Sequence, residues 1–294
     1  MKQLSLDFPA EQSDSAPRSK RRREWLPKAQ PFLKWAGGKR ALLPELRKRV
    51  GKFPGRYFEA FLGGAALFFE LAPRKAVLSD VNLRLVRCYR ALRDDVEGLI
   101  GLLTEHAQQH CKEHYYAVRA LDVDRCSDVE LAAWLIYLNH TCFNGLYRVN
   151  KSNRFNVPMG RYVNPTICNA PLLRACSTAL KHCEIEHLDF QSLSERPRAG
   201  DVVYFDPPYV PLSASSSFTS YSQEGFTDAD QVRLRDTALE LKRRGVRVIL
   251  SNAWAPRVLE LYAPPAFRVS QVMVPRMVNS KASGRAPVPE ALIV

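Results

Sequence analysis

A chain of 294 residues with 46% hydrophobic side chains can bury a sizeable core, as one α/β domain with an insertion or as two modest domains. Forty-three Lys and Arg against thirty Asp and Glu leave a formal charge of +13 at pH 7, which favours a polyanionic partner such as DNA or RNA. No apolar run approaches the roughly 18 to 20 residues that span a bilayer, the N-terminus lacks a signal-peptide pattern, and the seven cysteines form no CxxC pair, so a soluble cytoplasmic protein with free thiols is expected.

Residues 9–30, PAEQSDSAPRSKRRREWLPKAQ, show no apolar period and read as a flexible tail, its KRRR run a solvated basic stretch or a phosphate contact. PFLKWAGGK, residues 31–39, offers Trp35 as a stacking face, Gly37 and Gly38 for close approach, and two lysines for anionic groups. A strand is expected over Tyr57–Phe61. Gly63 and Gly64 follow it, where backbone can approach a ligand, and ALFFELA then reads as a helix. KAVLSD is a second strand ending at Asp80, and LRLVRCYRALRDD a helix after it. Asp80 is placed either to accept hydrogen bonds from ribose hydroxyls or to cap that helix.

From Asp95 to about Asn169 the pattern changes to helical segments such as VELAAWLIYLNH and then to FNGLYRVNKSNRFNVPMGRY, an exposed hairpin or loop mixing aromatics, Arg, Lys, Asn and turn formers. His106, His110 and His114, with Cys111 nearby, lie four apart and could share a helical face as metal ligands. No second ligand cluster accompanies them, so a wet helix face is the better account and no metal is expected. Later strands fall over Glu184–Leu188, Val202–Phe205, Val246–Leu250, Phe267–Val274 and Ala291–Val294. Thr227 or Asp228 can cap a helix with Leu234, Ala238 and Leu241 on one face and Gly245 beyond its end. Such alternation implies an open, mostly parallel sheet with ligands at the strands' carboxyl ends. The G-x-G-x-x-G dinucleotide fingerprint is absent.

In VVYFDPPYV, residues 202–210, an apolar strand stops at Asp206 and is followed by Pro207, Pro208 and Tyr209. Two prolines remove two backbone donors, so the chain leaves the sheet with a carboxylate at its lip. Taken alone, this is equally an ordinary turn.

The ordered set PFLKWAGGK, FEAFLGGAALFFEL, LSDVNLRLVRCYRAL, FNGLYRVN with FNVPMGRY, DPPY, FTSYSQEGFTDADQ and VILSN resembles the DNA adenine-N6 methyltransferases of the Dam type, from about Pro31 to Val294. The resemblance implies a Rossmann-like α/β methyltransferase sheet, mostly parallel with one reversed strand, carrying an inserted, mainly helical recognition domain with a hairpin loop. It divides the chain into a basic tail (1–30), a catalytic S-adenosylmethionine-binding domain (31–92 and 170–294) and a target-recognition domain (93–169).

It further implies S-adenosylmethionine as donor and S-adenosylhomocysteine as product, held by Trp35, Ala36, Gly37, Lys39, Glu59, Phe61, Gly63, Gly64, Asp80, Asn82, Asp189, Phe190 and Asp206. Trp35 and Lys39 would lie at the methionine end, Asp80 at the ribose and Asp189 at the adenine. Asp206, Pro207, Pro208 and Tyr209 would be catalytic, gripping the amine of an extruded adenine. Lys34, Phe143, Asn144, Leu146, Arg148, Asn156 and Pro158 would contact double-stranded DNA, at GATC. Departures are Ala60 for a proline, LGGAA for a Gly-richer loop, and Asn153 with Arg154 for a Gly-Glu pair. The alternatives are another short site, or a silent DNA-binding protein on the same scaffold; cytosine-N4 enzymes typically carry Ser in place of Asp206, and an RNA substrate is compatible with the charge. A bacterial or phage-encoded, nucleoid-associated monomer without metal is expected.

Overall fold

The computed structural model describes residues 26–209, 226–274 and 287–294; the KRRR run and residues 218–225 of the FTSYSQEGFTDADQ motif lie outside the described residues. Seven strands form one sheet: β1 Tyr57–Glu59, β2 Ala76–Asp80, β3 Cys183–His187, β4 Val202–Phe205, β5 Arg247–Ala253, β6 Val269–Val274 and β7 Val288–Ile293, in the order β3-β2-β1-β4-β5-β7-β6. The first five run parallel, and β7 lies antiparallel to both β5 and β6, the one reversed strand among those described. The expected strands are all present, shifted at their ends by a few residues.

Parallel strands require crossovers, and helices supply them. They are α1 Leu43–Val50, α2 Ala66–Leu71, α3 Leu83–Asp94, α4 Val96–Gln108, α5 Lys112–Ala120, α6 Asp128–Thr141, α7 Ala170–Leu180, α8 Phe190–Ser194, α9 Asp228–Arg243 and α10 Pro256–Leu261. The sheet is covered on both faces, so its central strands β1, β2, β4 and β5 are buried almost throughout, whereas β3 at one edge alternates buried Cys183 and Ile185 with more exposed Glu184 and Glu186. Tyr57, Leu78, Val202, Tyr204 and Ile249 enter one core, while their neighbours Phe58, Val77, Val203, Phe205, Val248 and Leu250 enter the other. Each large side chain buried this way contributes about 1.5–3 kcal/mol before the entropy of ordering it is counted.

The caps follow local chemistry. In α9 the Thr227 hydroxyl accepts the Asp230 N–H and the Asp230 carboxylate reaches back to Thr227; Leu234, Ala238 and Leu241 are fully buried, and Gly245 takes φ +77 just past the end. A second such box, Ser127 with Glu130, opens α6, which is apolar on all sides and buried from Leu131 to Asn139. Leu131, Leu135 and Leu138 of α6 belong to the same contiguous core as Leu85 and Tyr89 of α3, so the inserted helices and one sheet face share a single interior.

The three histidines do not share a helical face. α4 stops at Gln108, and a new helix starts at Lys112 with the Cys111 sulfur accepting the His114 N–H. The break lets both helices pack against α6, so the rings converge on its Tyr137. His106 stacks on it at 4.8 Å, His110 Nδ1 lies 2.9 Å from its hydroxyl, and His106 Nδ1 lies 3.0 Å from His114 Nε2. Burial, aided by His114, pushes the His106 imidazole down to about 4. Among the described residues no helix is long and apolar enough to cross a membrane.

Candidate active site

The chain passes from β1 through β2 to β3 at one edge and returns through β4 and β5 towards the other, so a crevice opens between the loops that follow β1 and β4. Glu59 and Tyr204 are register partners, hence Ala60–Gly64 and Asp206–Tyr209 leave the sheet side by side. Topology alone thus brings the glycine loop to the proline lip.

Asp206 sits one residue beyond β4. Its Oδ1 accepts Lys39 Nζ at 2.8 Å and the Ser251 hydroxyl at 3.0 Å, and Ser251 in β5 is itself 2.9 Å from the Tyr204 hydroxyl. Burial pushes the Asp206 carboxyl above the usual carboxylate range, with Lys39 and Ser251 opposing it. The Pro208 carbonyl accepts the Gln231 amide at 3.3 Å, and the Gln231 oxygen accepts from Asn252 at 3.1 Å. Tyr209 donates its hydroxyl to Glu290 Oε2 at 2.6 Å, and Lys39 Nζ lies 4.7 Å from its ring centre. Beneath them Glu59, only 2% exposed, accepts the Tyr57 hydroxyl at 2.8 Å. Burial drives the Glu59 carboxyl up to about 8; the Tyr57 bond opposes this and the Asp206 charge adds to it.

Across the crevice Gly63 adopts φ +44 and lies so close to Trp35 that a Cβ there would come within 3.0 Å of the indole Cδ1. Its N–H donates to Asp80 Oδ2 at 3.2 Å, while the Asn82 N–H donates to Asp80 Oδ1 at 2.9 Å. Asn82, not Asp80, caps α3 by accepting the Leu85 N–H, which removes the capping role that spacing left open for Asp80. Burial raises the Asp80 carboxyl against those two donors. Ala36 and Gly37 form the turn ahead of Lys39, whose ammonium also donates to the Gly37 carbonyl. The LGGAA departure has a visible cost: Ala65 holds φ +51, a left-handed conformation unfavourable for a Cβ by roughly 1–2 kcal/mol.

Phe61 stacks on Phe190 at 5.6 Å and meets Phe226 edge-on at 5.7 Å. Asp189 caps α8 by accepting the Ser192 N–H and pairs with Arg233 at 2.7 Å, whose guanidinium lies 4.4 Å over the Phe190 ring. Burial raises the Asp189 carboxyl, but these donors prevail and hold it below the usual range.

The residues expected to contact DNA form a second group. Phe143, half exposed, is not core packing; its N–H donates to the Pro158 carbonyl at 2.9 Å. Asn144 takes φ +55 in the same turn, and Leu146 is exposed beyond it. Arg148 Nε donates to Asn156 Oδ1 at 2.7 Å, so the two prescribed polar residues hold one another. Lys34 packs its stem against Gly145 and places Nζ 4.2 Å from the Tyr162 ring centre. The loop is less exposed than its polarity suggests, for Tyr147, Phe155 and Val157 are buried. Asn153 stands at φ +54, which explains why glycine suits that position and why Asn, which tolerates left-handed backbone, substitutes for it.

Several organising residues were not among the expected site residues. Asn139 accepts the Lys34 N–H at 2.7 Å and donates to the carbonyls of Lys34 and Gly145, tying the PFLKWAGGK segment to the loop after α6. Tyr147 stacks on Trp35 at 5.5 Å. The available signal was a polar residue bordering an apolar run, as Asn139 does after LIYL and Glu290 does before ALIV.

The sheet order and the site at its switch point define a Rossmann-like methyltransferase. A family model, D12 class N6 adenine-specific DNA methyltransferase, matches residues 35–274, and the chain belongs to that family. It is 45% identical over 269 residues to the Type II methyltransferase M1.LlaDCHI of Lactococcus lactis subsp. cremoris, covering 90% of this chain and 94% of the relative. It is 39% identical over 275 residues to the Type II methyltransferase M.MjaIII of Methanocaldococcus jannaschii (87% and 94%), and 32% identical over 272 residues to the DNA adenine methylase of Escherichia coli K12 (90% and 95%). It is therefore an enzyme that methylates adenine N6 in DNA, which sets aside the silent-scaffold, cytosine and RNA alternatives.

Proposed function

We infer that the methyl group comes from S-adenosylmethionine and goes to an adenine flipped out of duplex DNA, in the sequence GATC, with the enzyme acting as a monomer and without a metal. The observation that carries this reading is Asp206 at the switch point, a carboxylate on a proline-stiffened lip beside the glycine cradle. Residues 31–92 and 170–294 would serve catalysis and 93–169 target recognition.

The residues fit the donor. The close approach of Gly63 to Trp35 and its positive φ disfavour a side chain at that position, Asp80 offers carboxylate oxygens at the end of β2, and Phe61 with Phe190 offers aromatic faces for an adenine ring. When bound, the donor supplies an electrophilic methyl group that needs no further activation. The protein's own task is the amine, whose lone pair is delocalised into the adenine ring. Lys39 and Ser251 both hold Oδ1 of Asp206, so Oδ2 is assigned to accept one N6 proton and the Pro207 carbonyl the other, turning the lone pair towards the methyl group. Asp206 then takes the proton that the methylated nitrogen must lose. Tyr209 stacks on the extruded base, and Phe143, exposed on its turn, fills the gap in the duplex at a site where unstacking costs a few kcal/mol. Arg148, its fork aligned by Asn156, reads a guanine, and Lys34 a second.

The test is to incubate unmethylated plasmid with protein and S-adenosylmethionine, then digest with nucleases that adenine methylation at GATC blocks or enables. Protection confined to GATC is expected, with N6-methyladenine in the nucleoside digest by mass spectrometry. Methyladenine formed at other sites would overturn the specificity, and none at all would overturn the donor and the mechanism.

A further inference from the structure

Pro207 and Pro208 restrict the backbone ahead of Tyr209, yet the ring keeps two side-chain torsions. Contacts from distant parts of the chain close off both. Lys39 lies over the ring at 4.7 Å, shared with Asp206 at 2.8 Å, and Glu290 takes the hydroxyl at 2.6 Å. Glu290 belongs to β7, the reversed strand, where it pairs with Ala253 of β5 and with Val272 of β6. A residue laddered on both sides has a fixed backbone, so its carboxylate reaches Tyr209 from a fixed anchor. Placing a carboxylate on an interior strand costs free energy unless something compensates it. The Tyr209 hydroxyl and the nearby Lys39 charge provide that compensation, and both belong to the site.

We propose that Glu290 is a positioning residue for methyl transfer: by accepting the Tyr209 hydroxyl proton it clamps the ring on which the target adenine stacks, and so governs the presentation of the amine. With an ammonium on one face of the ring, the base must use the other, and the hydroxyl bond sets the tilt of that face. Glu290 touches no reacting atom. The proposal rests on the entry of a flipped adenine into the Asp206 lip.

The experiment uses the full chain, S-adenosylmethionine and a short duplex with one GATC target, alongside the same duplex with 2-aminopurine at the target adenine. Glu290→Ala is expected to lower the single-turnover rate about tenfold or more while donor and duplex Kd stay within roughly threefold. Its 2-aminopurine emission should rise above wild type, because a loosely held ring quenches the extruded base less. Tyr209→Phe should match it, and the double variant should be no worse than either single, as expected of residues acting through one bond. Glu290→Gln, which keeps an acceptor, should recover most of the rate. A wild-type rate in Glu290→Ala, losses that multiply in the double variant, or a Gln variant as poor as Ala would overturn the proposal. Wild-type protein that leaves 2-aminopurine emission unchanged would remove the base-flipping reading and the proposal with it, whereas normal flipping with indifferent Glu290 variants overturns the proposal alone.

Discussion

The lip after β4 and the loop after α6 present polar groups under opposite regimes. At the lip each charge is fixed by groups from other strands: Lys39 is 4% exposed and bonded to Asp206, and Ser251 and Glu290 come from β5 and β7. In the loop the polar groups are exposed and held by neighbours a few residues away, as Arg148 is by Asn156. A buried, cross-braced charge is preorganised, and losing one member disturbs all the others. An exposed arginine on a short hairpin keeps its charge in water and can be replaced with little effect on the fold. The lip is therefore suited to chemistry that tolerates no misplacement, and the loop, on the proposed reading, to a DNA contact that must give up water and internal bonds.

The sharpest way to break that comparison is Asp206→Asn. The amide preserves size but cannot take the amine proton, and kcat should fall by about 10²–10⁴-fold. It also leaves Lys39 buried without its anion, so urea unfolding should show a loss of order 3 kcal/mol, since removing one partner of a buried pair is costly. Donor binding by calorimetry should persist. A variant as stable as wild type would mean that Lys39 is not bound energetically to the lip.

Glu59 tests the same burial through pH. Its carboxyl titrates near 4.5 when unfolded and at about 8 in the native protein, so between those values the unfolded chain gives up a proton that the native chain retains. Wild-type stability should consequently fall as pH rises from 4.5 to 8, by roughly 1.4 kcal/mol per unit for a group this buried. Glu59→Gln has no proton to lose. It should match wild type at pH 4 and exceed it by a few kcal/mol at pH 9, read by melting temperature across a buffer series. Parallel curves for the two proteins would show Glu59 to be ionised in the fold at neutral pH.

How far each region could be read in the sequence follows from the same contrast. The strand-end positions of Asp206, Gly63 and Asp80 were legible because an apolar run stops beside each of them, against two prolines in the case of Asp206. Their partners were not: Lys39 meets Asp206, and Glu290 meets Tyr209, only through the order in which strands are laid side by side, and nothing local to either residue encodes that order. The histidines misled for the opposite reason. Spacing of four promises a shared face only if the helix continues, and the new cap at Cys111 breaks it. In the loop after α6 polarity suggested exposure, whereas Tyr147 and Phe155 turn inward to reach Trp35 and Trp134.

Arg148→Ala probes the exposed side of the comparison, where the smallest effect on the fold is expected. The side chain is bonded only within its own hairpin among the contacts described, so melting temperature should stay close to wild type. Discrimination should change instead. If the guanidinium reads a guanine bidentately, its loss relaxes preference at one base pair by about 1–3 kcal/mol, measured as the ratio of kcat/KM on GATC to that on duplexes altered at a single position. The alanine variant then methylates a defined set of near-cognate sites almost as well as the original. A uniform loss across all duplexes, with a shallower salt dependence, would make Arg148 a phosphate contact and move the reading of that base pair to Lys34, whose backbone Asn139 already fixes beside the same loop.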